Sequence, residues 1–294
     1  MRQTSVPAFT FIVSTICVAA FAVAAEGQPN KKATPVVDSW QPLFNGKDLT
    51  GWHVVLTSDL KGIDPEKVFQ VHDGVIHTYQ DVPEGAKVPI GYLASDNSYS
   101  WYQFKVEYRW VGKRFAPRVA RPRDAGVLYH AAADKVVWPR SVECQIQEND
   151  VGDCFTVKGV QLKSTFDPAA MKSGVYKYVP AKDGGVAGTW GGPGISRIAK
   201  GSMHEVEGWN TVEIIVRGDE EVVYKVNDHE VFHATSIQQL EDDQKTWRPL
   251  KSGHLLLQCE FSEVMYRNAQ IKPVEGGPFR VSDREKSDEL AGRK

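Results

Sequence analysis

The chain has 294 residues, and its 35 basic residues against 37 acidic ones leave it close to neutral. No basic stripe accompanies this balance, so the composition gives no electrostatic case for binding nucleic acid or an anionic membrane surface. About 270 residues follow the N-terminal segment described next, a length that suits one large all-β domain. The composition predicts a neutral or weakly charged ligand.

The N-terminus has the features of an export signal. Arg2 supplies a positive start, residues 9–21 are apolar, and Ala22 to Ala25 are small. The apolar run is shorter than the roughly 20 residues of a membrane span, and small residues at its end suit cleavage. We therefore predict a signal peptide at residues 1–25, a mature chain that starts near Glu26, and a periplasmic or extracellular protein without a membrane span.

Polar segments flank the predicted domain. Residues 26–39 read as a linker with Pro and Lys, and residues 276–294 form a charged tail almost without apolar side chains. Such segments bury too little apolar surface to join a core. The domain is therefore predicted at residues 40–275.

Between these ends, apolar and polar residues alternate as in half-buried strands. The clearest alternation covers residues 104–110, 212–216 and 255–261. Short runs separated by Gly, Asp and Asn turns predict further strands at 68–79, 126–130, 142–147, 222–226 and 264–272. Because no long helical period interrupts them, the sequence predicts an all-β jelly-roll sandwich of two antiparallel sheets, with long loops at 113–124, 178–201 and 235–253.

The segment that starts at Glu143 is the most informative for chemistry. On a regular strand Glu143 and Gln145 share one polar face, and Glu148 points the other way. A β-bulge after Gln145 would return Glu148 to the face of Glu143, which would give the paired carboxyl groups of a retaining glycosidase. The alternative is that Glu143 and Gln145 only solvate a polar face and that Glu148 starts a turn.

Other polar groups are candidates for the same face. Arg109, beside Glu107, offers a planar fork of donors for a carboxylate or for sugar hydroxyls, and a cross-strand ion pair is the equally open alternative. His130 is placed to titrate near neutrality, or else is a satisfied structural histidine. Gln258 and Glu260 follow on a later strand.

Two tryptophans beside the long loops are candidates for sugar stacking, because pyranose rings present apolar C–H faces. These are Trp138 and Trp190. Three cysteines remain after the predicted signal, namely Cys144, Cys154 and Cys259. They allow one disulfide at most, or else they are small buried apolar side chains.

Over nearly all of residues 40–274, the chain resembles the secreted bacterial 3-keto-disaccharide hydrolase domain family. The family usually has Asn where this chain has Asp124, and it reads E-x-Q-I at the strand of Glu143. The motifs that carry the resemblance occur in order at residues 43–52, 71–76, 104–110, 124–127, 143–150, 209–211, 226–227, 257–258 and 266–268.

The resemblance implies a concanavalin-like jelly roll and activity on sugars oxidised at C3. A C3 ketone acidifies the C2 hydrogen, so a base can remove it, the enolate expels the C1 substituent, and water is added back. In this scheme Glu143 is the base, Glu148 or His130 is a second acid or base, and Arg109 and Gln145 hold oxygens. The remaining substrate-binding candidates are Glu107, Trp138, Trp190, Gln258 and Glu260.

Alternatives to this scheme stay open at the level of sequence. A retaining glycoside hydrolase would use Glu143 and Glu148, and a non-catalytic carbohydrate-binding module would use the same fold, because fold does not fix function. No cofactor is identified. A divalent metal is possible, although no oxygen-rich ligand loop stands out. Carbohydrate is the expected partner, and nothing in the sequence sets the oligomeric state.

Overall fold

A computed structural model describes residues 1, 39–58, 63–132 and 136–281. The chain divides into two compact units, Met1–Pro35 and Val36–Lys294. The predicted signal peptide, apart from Met1, lies outside the described residues, as do most of the predicted linker and the end of the tail. All helices and strands given below belong to the second unit.

Strands make up most of the regular secondary structure in the described part of the chain. Its helical segments are α1 Pro168–Lys172 and two 3-10 turns, Pro65–Lys67 and Ala181–Asp183. In chain order the strands are β1 Gln41–Pro42, β2 Trp52–Leu56, β3 Phe69–His72, β4 Val75–Thr78, β5 Gly91–Ser95, β6 Ser98–Tyr99, β7 Trp101–Arg114, β8 Asp124–Ala131, β9 Ser141–Gln147, β10 Cys154–Val157, β11 Val160–Phe166, β12 Val186–Gly192, β13 Ile195–Ile198, β14 Asn210–Arg217, β15 Glu221–Val226, β16 His229–Leu240, β17 Trp247–Pro249, β18 His254–Cys259, β19 Ser262–Pro273 and β20 Arg280–Val281.

Two antiparallel sheets contain most of these strands. The larger sheet has the order β12-β11-β16-β15-β14-β7-β19-β4-β3, with β1 and β17 attached to β19 and β16. The smaller sheet has the order β13-β10-β9-β8-β18-β5-β2. This arrangement confirms the predicted all-β jelly-roll sandwich.

The core lies between the two sheets and follows from alternation along the strands. On β7 of the larger sheet Phe104, Val106 and Tyr108 are fully buried, and on β9 of the smaller sheet Val142 and Cys144 meet them in one apolar cluster. Full burial of a Val or Phe side chain contributes roughly 1.5–3 kcal/mol. Because side chains alternate, the residues between them face outward on both sheets.

The structure adds detail to three smaller expectations. Within the predicted tail, Phe279 packs against the core and β20 pairs with β6. The predicted loops at 178–201 and 235–253 contain β12, β13 and β17. All three cysteines are buried and free, so the interpretation as small apolar side chains holds in this structure.

Candidate functional site

Three carboxyl side chains lie on the outer face of the smaller sheet. Glu143 lies in β9, Asp124 begins β8, and Glu260 follows β18 and pairs with Asp124 through an isolated backbone bridge. Glu143 is only 6% exposed and Asp124 only 3% exposed, although both face away from the core between the sheets. We refer to Asp124, Glu143 and Glu260 as the carboxyl cluster.

A glycine makes room for this cluster. Gly126 pairs with Gln145 across β8 and β9. A Cβ atom at Gly126 would collide with Oε1 of Glu143 and would lie 2.8 Å from Oε1 of Gln258. The Glu143 side chain therefore leans along the sheet from its own position, and it meets Gln258 above the backbone of Gly126.

One cation serves the cluster. Arg118 Nη1 donates to Asp124 Oδ2 and to Glu260 Oε1, the latter at 2.8 Å. Two amides complete the arrangement: Gln147 Nε2 donates to Asp124 Oδ2 at 3.0 Å, and Gln258 Nε2 donates to Glu260 Oε2 at 3.0 Å. No described residue donates a hydrogen bond to the carboxyl group of Glu143, and the three carboxyl groups of the cluster have one cation, Arg118, beside them.

This imbalance changes the protonation of the cluster. Burial raises the pKa of Glu143 well above its usual range, and the nearby carboxylates of Asp124 and Glu260 raise it further. Burial also raises the pKa of Asp124 to about 7, with Glu260 adding to the effect and Arg118 opposing it. The pKa of Glu260 is raised by burial and is likewise opposed by Arg118. The surroundings of Glu143 therefore favour its protonated form, while Asp124, with a pKa of about 7, is partly ionised at neutral pH.

Several buried acceptors around the cluster have no partner among the described residues. They are Oδ1 of Asp124, Oε1 of Gln145 and Oε1 of Gln258. A buried acceptor without a donor costs roughly 1–3 kcal/mol, so such atoms are rare unless they serve a purpose. Their position suits a ligand that brings its own hydroxyl donors.

Apolar side chains flank the same place. Leu128 lies opposite Glu143 on β8, and Phe155 lies opposite it on β10. Phe155 is half-buried and belongs to neither apolar cluster. Leu128 joins a small second apolar cluster on this outer face, and Trp138 packs against that cluster. Carboxyl groups and amides beside apolar and aromatic surface are the usual lining of a ligand site.

The structure thus brings several of the predicted site residues together. Gln145, Gln258 and Glu260 lie with Glu143, and Trp138 lies on the same face. Sequence reasoning missed Arg118, Asp124 and Phe155. The sequence carries a signal for Asp124, because it lies two residues before Gly126 and shares that face of the strand. Nothing in the sequence distinguishes Arg118 from the other arginines of its loop.

Glu148 does not lie beside Glu143 as the predicted second carboxyl group. The register between β8 and β9 is regular, so the bulge required after Gln145 is not found in the described strands. Glu148 instead follows the strand in a turn, where it accepts hydrogen bonds from Arg123 Nη2 at 2.8 Å and from Arg114 Nη2 at 3.1 Å. These arginines, and the Arg123 side chain first, lower the pKa of Glu148 to about 2. An acid that holds no proton at neutral pH is a poor proton donor.

His130 does not face the site either. It has a positive φ of 49°, and the pairing of β8 with β18 shifts register beside it. The side chain is 1% exposed, its ring lies against Tyr102 and Tyr129, and its Nε2 lies 2.9 Å from the carbonyl oxygen of Gly218. This register shift turns the His130 side chain into the core. His130 is therefore a structural histidine, which was the alternative to a titrating site residue.

Glu107 and Arg109 lie on the other side of the molecule. Both alternate with core residues of β7, so they face outward from the larger sheet. Glu107 accepts a hydrogen bond from Arg267 Nε at 2.7 Å, and Arg109 lies over the ring of Trp209 at 5.0 Å. The cross-strand ion pair considered for Glu107 is thus present, with Arg267 as its partner.

Trp190 is also remote from the cluster. It lies in β12 at the edge of the larger sheet and stacks on Tyr176, with ring centroids 3.5 Å apart. Its Nε1 donates to the carbonyl oxygen of Arg197 at 3.1 Å. Trp190 therefore stabilises this edge of the sheet.

Three further observations concern features outside the carboxyl cluster. A cleft of about 420 Å³ lies where four connections meet, and its lining includes Arg140, Lys158 and Asp242 but no member of the carboxyl cluster. Among the residues that the structure describes, no group of His, Cys, Asp and Glu side chains is arranged to hold a metal ion. In the same residues, no helix is long and apolar enough to cross a membrane.

Comparison with protein families decides the assignment. Residues 39–272 match the 3-keto-alpha-glucoside-1,2-lyase-like domain. The chain belongs to this family. Membership confirms the resemblance seen in the sequence and makes the protein a carbohydrate-active, glycosyl-hydrolase-like domain.

Solved structures give more distant similarities. A candidate glycosyl hydrolase from Parabacteroides distasonis is 18% identical, with a TM-score of 0.47 and coverage of 80% of this chain and 94% of its own. An endo-acting O-glycanase from human gut bacteria is 12% identical, with a TM-score of 0.46 and coverage of 82% and 100%. The carbohydrate-binding module CBM66 from Bacillus subtilis is 10% identical, with a TM-score of 0.40 and coverage of 76% and 95%. The search of curated proteins found no match.

Proposed function

We propose that this protein is an exported enzyme that cleaves 3-keto-glycosides by elimination across C1 and C2, followed by hydration. The observation that carries the proposal is the environment of Glu143. Glu143 is buried on an outward face, has a pKa raised by burial and by neighbouring carboxylates, and lies among acceptors that lack donors. Family membership supplies the substrate class.

The chemistry needs groups that move protons and groups that hold oxygens. A ketone at C3 makes the C2 hydrogen acidic, and loss of that hydrogen gives an enolate that expels the C1 substituent. Glu143 supports this reaction as a proton-transfer group beside the reacting carbons. Gln145 and Gln258 offer carbonyl oxygens to sugar hydroxyls, and Phe155 and Trp138 offer apolar surface to the ring.

Isotope incorporation tests the reaction type. The purified protein is incubated with a 3-keto-α-glucoside in deuterated water, and the released 3-keto-glucose is analysed for deuterium at C2. Elimination followed by hydration requires deuterium at C2 at the rate of cleavage. A blank with 3-keto-glucose and no enzyme corrects for spontaneous exchange.

The alternatives give different results in the same experiment. A retaining hydrolase cleaves the glycoside without deuterium at C2 beyond the blank, which would refute the elimination. A binding module retains the sugar without cleaving it, which would refute the enzymatic role. The retaining mechanism predicted with Glu148 as its second carboxyl is disfavoured, because Glu148 is held by Arg114 and Arg123.

Export is part of the proposal and rests on residues 1–25 of the sequence. Expression of the full chain in a bacterium, followed by N-terminal sequencing of the periplasmic and secreted fractions, tests it. We expect a mature chain starting near Glu26. A protein that keeps Met1 and stays in the cytoplasm would contradict export.

A further inference from the structure

Asp124 is a second proton-transfer candidate, and the sequence did not single it out for one. It pairs with Gln147 across β8 and β9, and Gly126 pairs with Gln145. Since side chains two residues apart share one face of a strand, Asp124 lies on the face of the Glu143 carboxyl group, which leans over Gly126. Two residues of strand span about 7 Å of backbone, so the two carboxyl groups are close neighbours on this face.

The two carboxyl oxygens of Asp124 differ in their hydrogen-bond partners. Oδ2 accepts from Arg118 Nη1 and from Gln147 Nε2. Oδ1 is buried and has no partner among the described residues. Arg118 also holds Glu260, and Ser262 Oγ accepts from the backbone N–H of Asp124 at 3.0 Å. Asp124 is therefore fixed on one side and free to accept a proton on the other.

Glu143 has the opposite environment. It has no cation within reach and no donor to its carboxyl group among the described residues, and its Oε1 lies beside Gly126, as does the unpartnered Oε1 of Gln258. A buried carboxyl group with neither donors nor a cation is favoured in its neutral, protonated form. The geometry favours a protonated Glu143 and an ionised Asp124 held by Arg118.

We infer that Asp124 is the base that removes the C2 hydrogen and that Glu143 is the acid that protonates the departing oxygen at C1. This inference rests on the proposed function and reverses the role expected for Glu143 from the sequence. It makes the base particular to this chain, because the family usually has Asn where this chain has Asp124. Arg118 is a positioning residue, because it fixes the charge and the orientation of Asp124 without touching the sugar.

The steps balance without a redox partner. Asp124 takes the C2 proton, and the electrons of that C–H bond form the enolate of the C3 ketone. The enolate re-forms the ketone and a C1–C2 double bond as the C1–O bond breaks, and Glu143 gives its proton to the leaving oxygen. Asp124 ends protonated and Glu143 ionised, and exchange with solvent restores both.

Three proteins separate the two roles: the wild type, Asp124→Asn and Glu143→Gln, with Glu107→Gln on the larger sheet as a control. Each is incubated with a 3-keto-α-glucoside in deuterated water. Deuterium at C2 of the recovered substrate and release of the leaving alcohol are measured separately. General acid or base catalysis contributes about 10²- to 10⁴-fold. Asp124→Asn should therefore lose both C2 exchange and release by at least about 100-fold.

Glu143→Gln should behave differently. It should lose release by about 100-fold or more but keep C2 exchange within about 10-fold, because the base is intact. If Asp124→Asn retains exchange while Glu143→Gln loses it, Glu143 is the base and the inference is wrong, although the proposed function survives. If the wild type cleaves without any C2 exchange into product, the elimination fails, and the inference fails with it.

The pH profile of wild-type C2 exchange decides the matter if Asp124→Asn does not fold. The charged groups that face Asp124 are Arg118, Glu260 and Glu143. The exchange rate should rise with pH through about 7, as Asp124 ionises. A rate that is flat between about pH 5 and 8 would contradict a base at this position.

Discussion

The two outer faces of the sandwich are both lined by polar residues, but they balance their charges differently. On the larger sheet, Glu107 accepts hydrogen bonds from Arg267 and Asn268 at 2.7 Å each, and Arg109 lies over Trp209. On the smaller sheet, Arg118 pairs with Asp124 and Glu260, and Glu143 has no ion-pair partner among the described residues.

This difference separates structural charge from functional charge. Partners lower the pKa of Glu107, against the opposing effect of partial burial, so it stays ionised and stabilises a surface. Burial raises the pKa of Glu143, and no ion pair offsets that effect. Groups whose environments shift their pKa values in this way cluster at functional sites. The following experiments try to break the contrast between the two faces.

The largest expected effect compares matched substitutions on the two faces. Glu143→Gln removes an ionisable proton from the proposed site and should lower turnover by about 10²- to 10⁴-fold. Glu107→Gln removes a surface ion pair worth about 1 kcal/mol or less, and turnover should stay within about threefold. Steady-state kinetics on a 3-keto-α-glucoside measures both. Equal losses in the two variants would show that the faces do not differ in function.

A smaller effect should follow from filling the space above Gly126. Gly126→Ala pushes against the ends of Glu143 and Gln258, which can move, so the fold should survive. Displacement of a catalytic group by about 1 Å can cost about 100-fold in rate. Gly112→Ala is the control, because no atom lies within 4 Å of its added Cβ. Unchanged kinetics in Gly126→Ala would show that catalysis does not depend on the space above Gly126.

Stability should depend on pH through the carboxyl cluster. The folded pKa of Asp124, about 7, lies above its usual value of 3.8. Its contribution to stability is therefore present below about pH 4 and is lost as pH rises through 7. Urea unfolding at pH 4.5 and pH 8 should show a wild-type loss that Asp124→Asn reduces by about 2–4 kcal/mol. An identical loss in the two proteins would place the titration elsewhere.

The smallest effect concerns Glu148, whose contribution to stability changes with pH in the opposite direction to that of Asp124. Its pKa of about 2 lies below the usual 4.5, so its stabilising effect is present above about pH 4.5 and is lost as pH falls toward 2. Glu148→Gln should cost about 2 kcal/mol of stability at pH 7 and less at pH 3. Turnover should change little. A large loss of turnover without a loss of stability would return Glu148 to the catalytic site.

Alternation predicted the fold and the outward face of Glu143, because a period of two is read directly from the residues. It failed at His130, where a positive φ and a register shift turn the side chain inward. It was also silent on Arg118, since an irregular loop has no period. The pairing of Asp124 with Arg118 requires that loop to fold back over β8, and residue types alone do not encode such a path.

The central claim is that sugar binds on the outer face of the smaller sheet. A crystal structure of Glu143→Gln, soaked with a 3-keto-α-glucoside, tests it most directly. We predict that the sugar contacts Gln258 and Asp124 and that its ring lies near Phe155 or Trp138. A sugar bound instead in the cleft lined by Arg140 and Lys158, or on the larger sheet beside Trp209, would contradict the account.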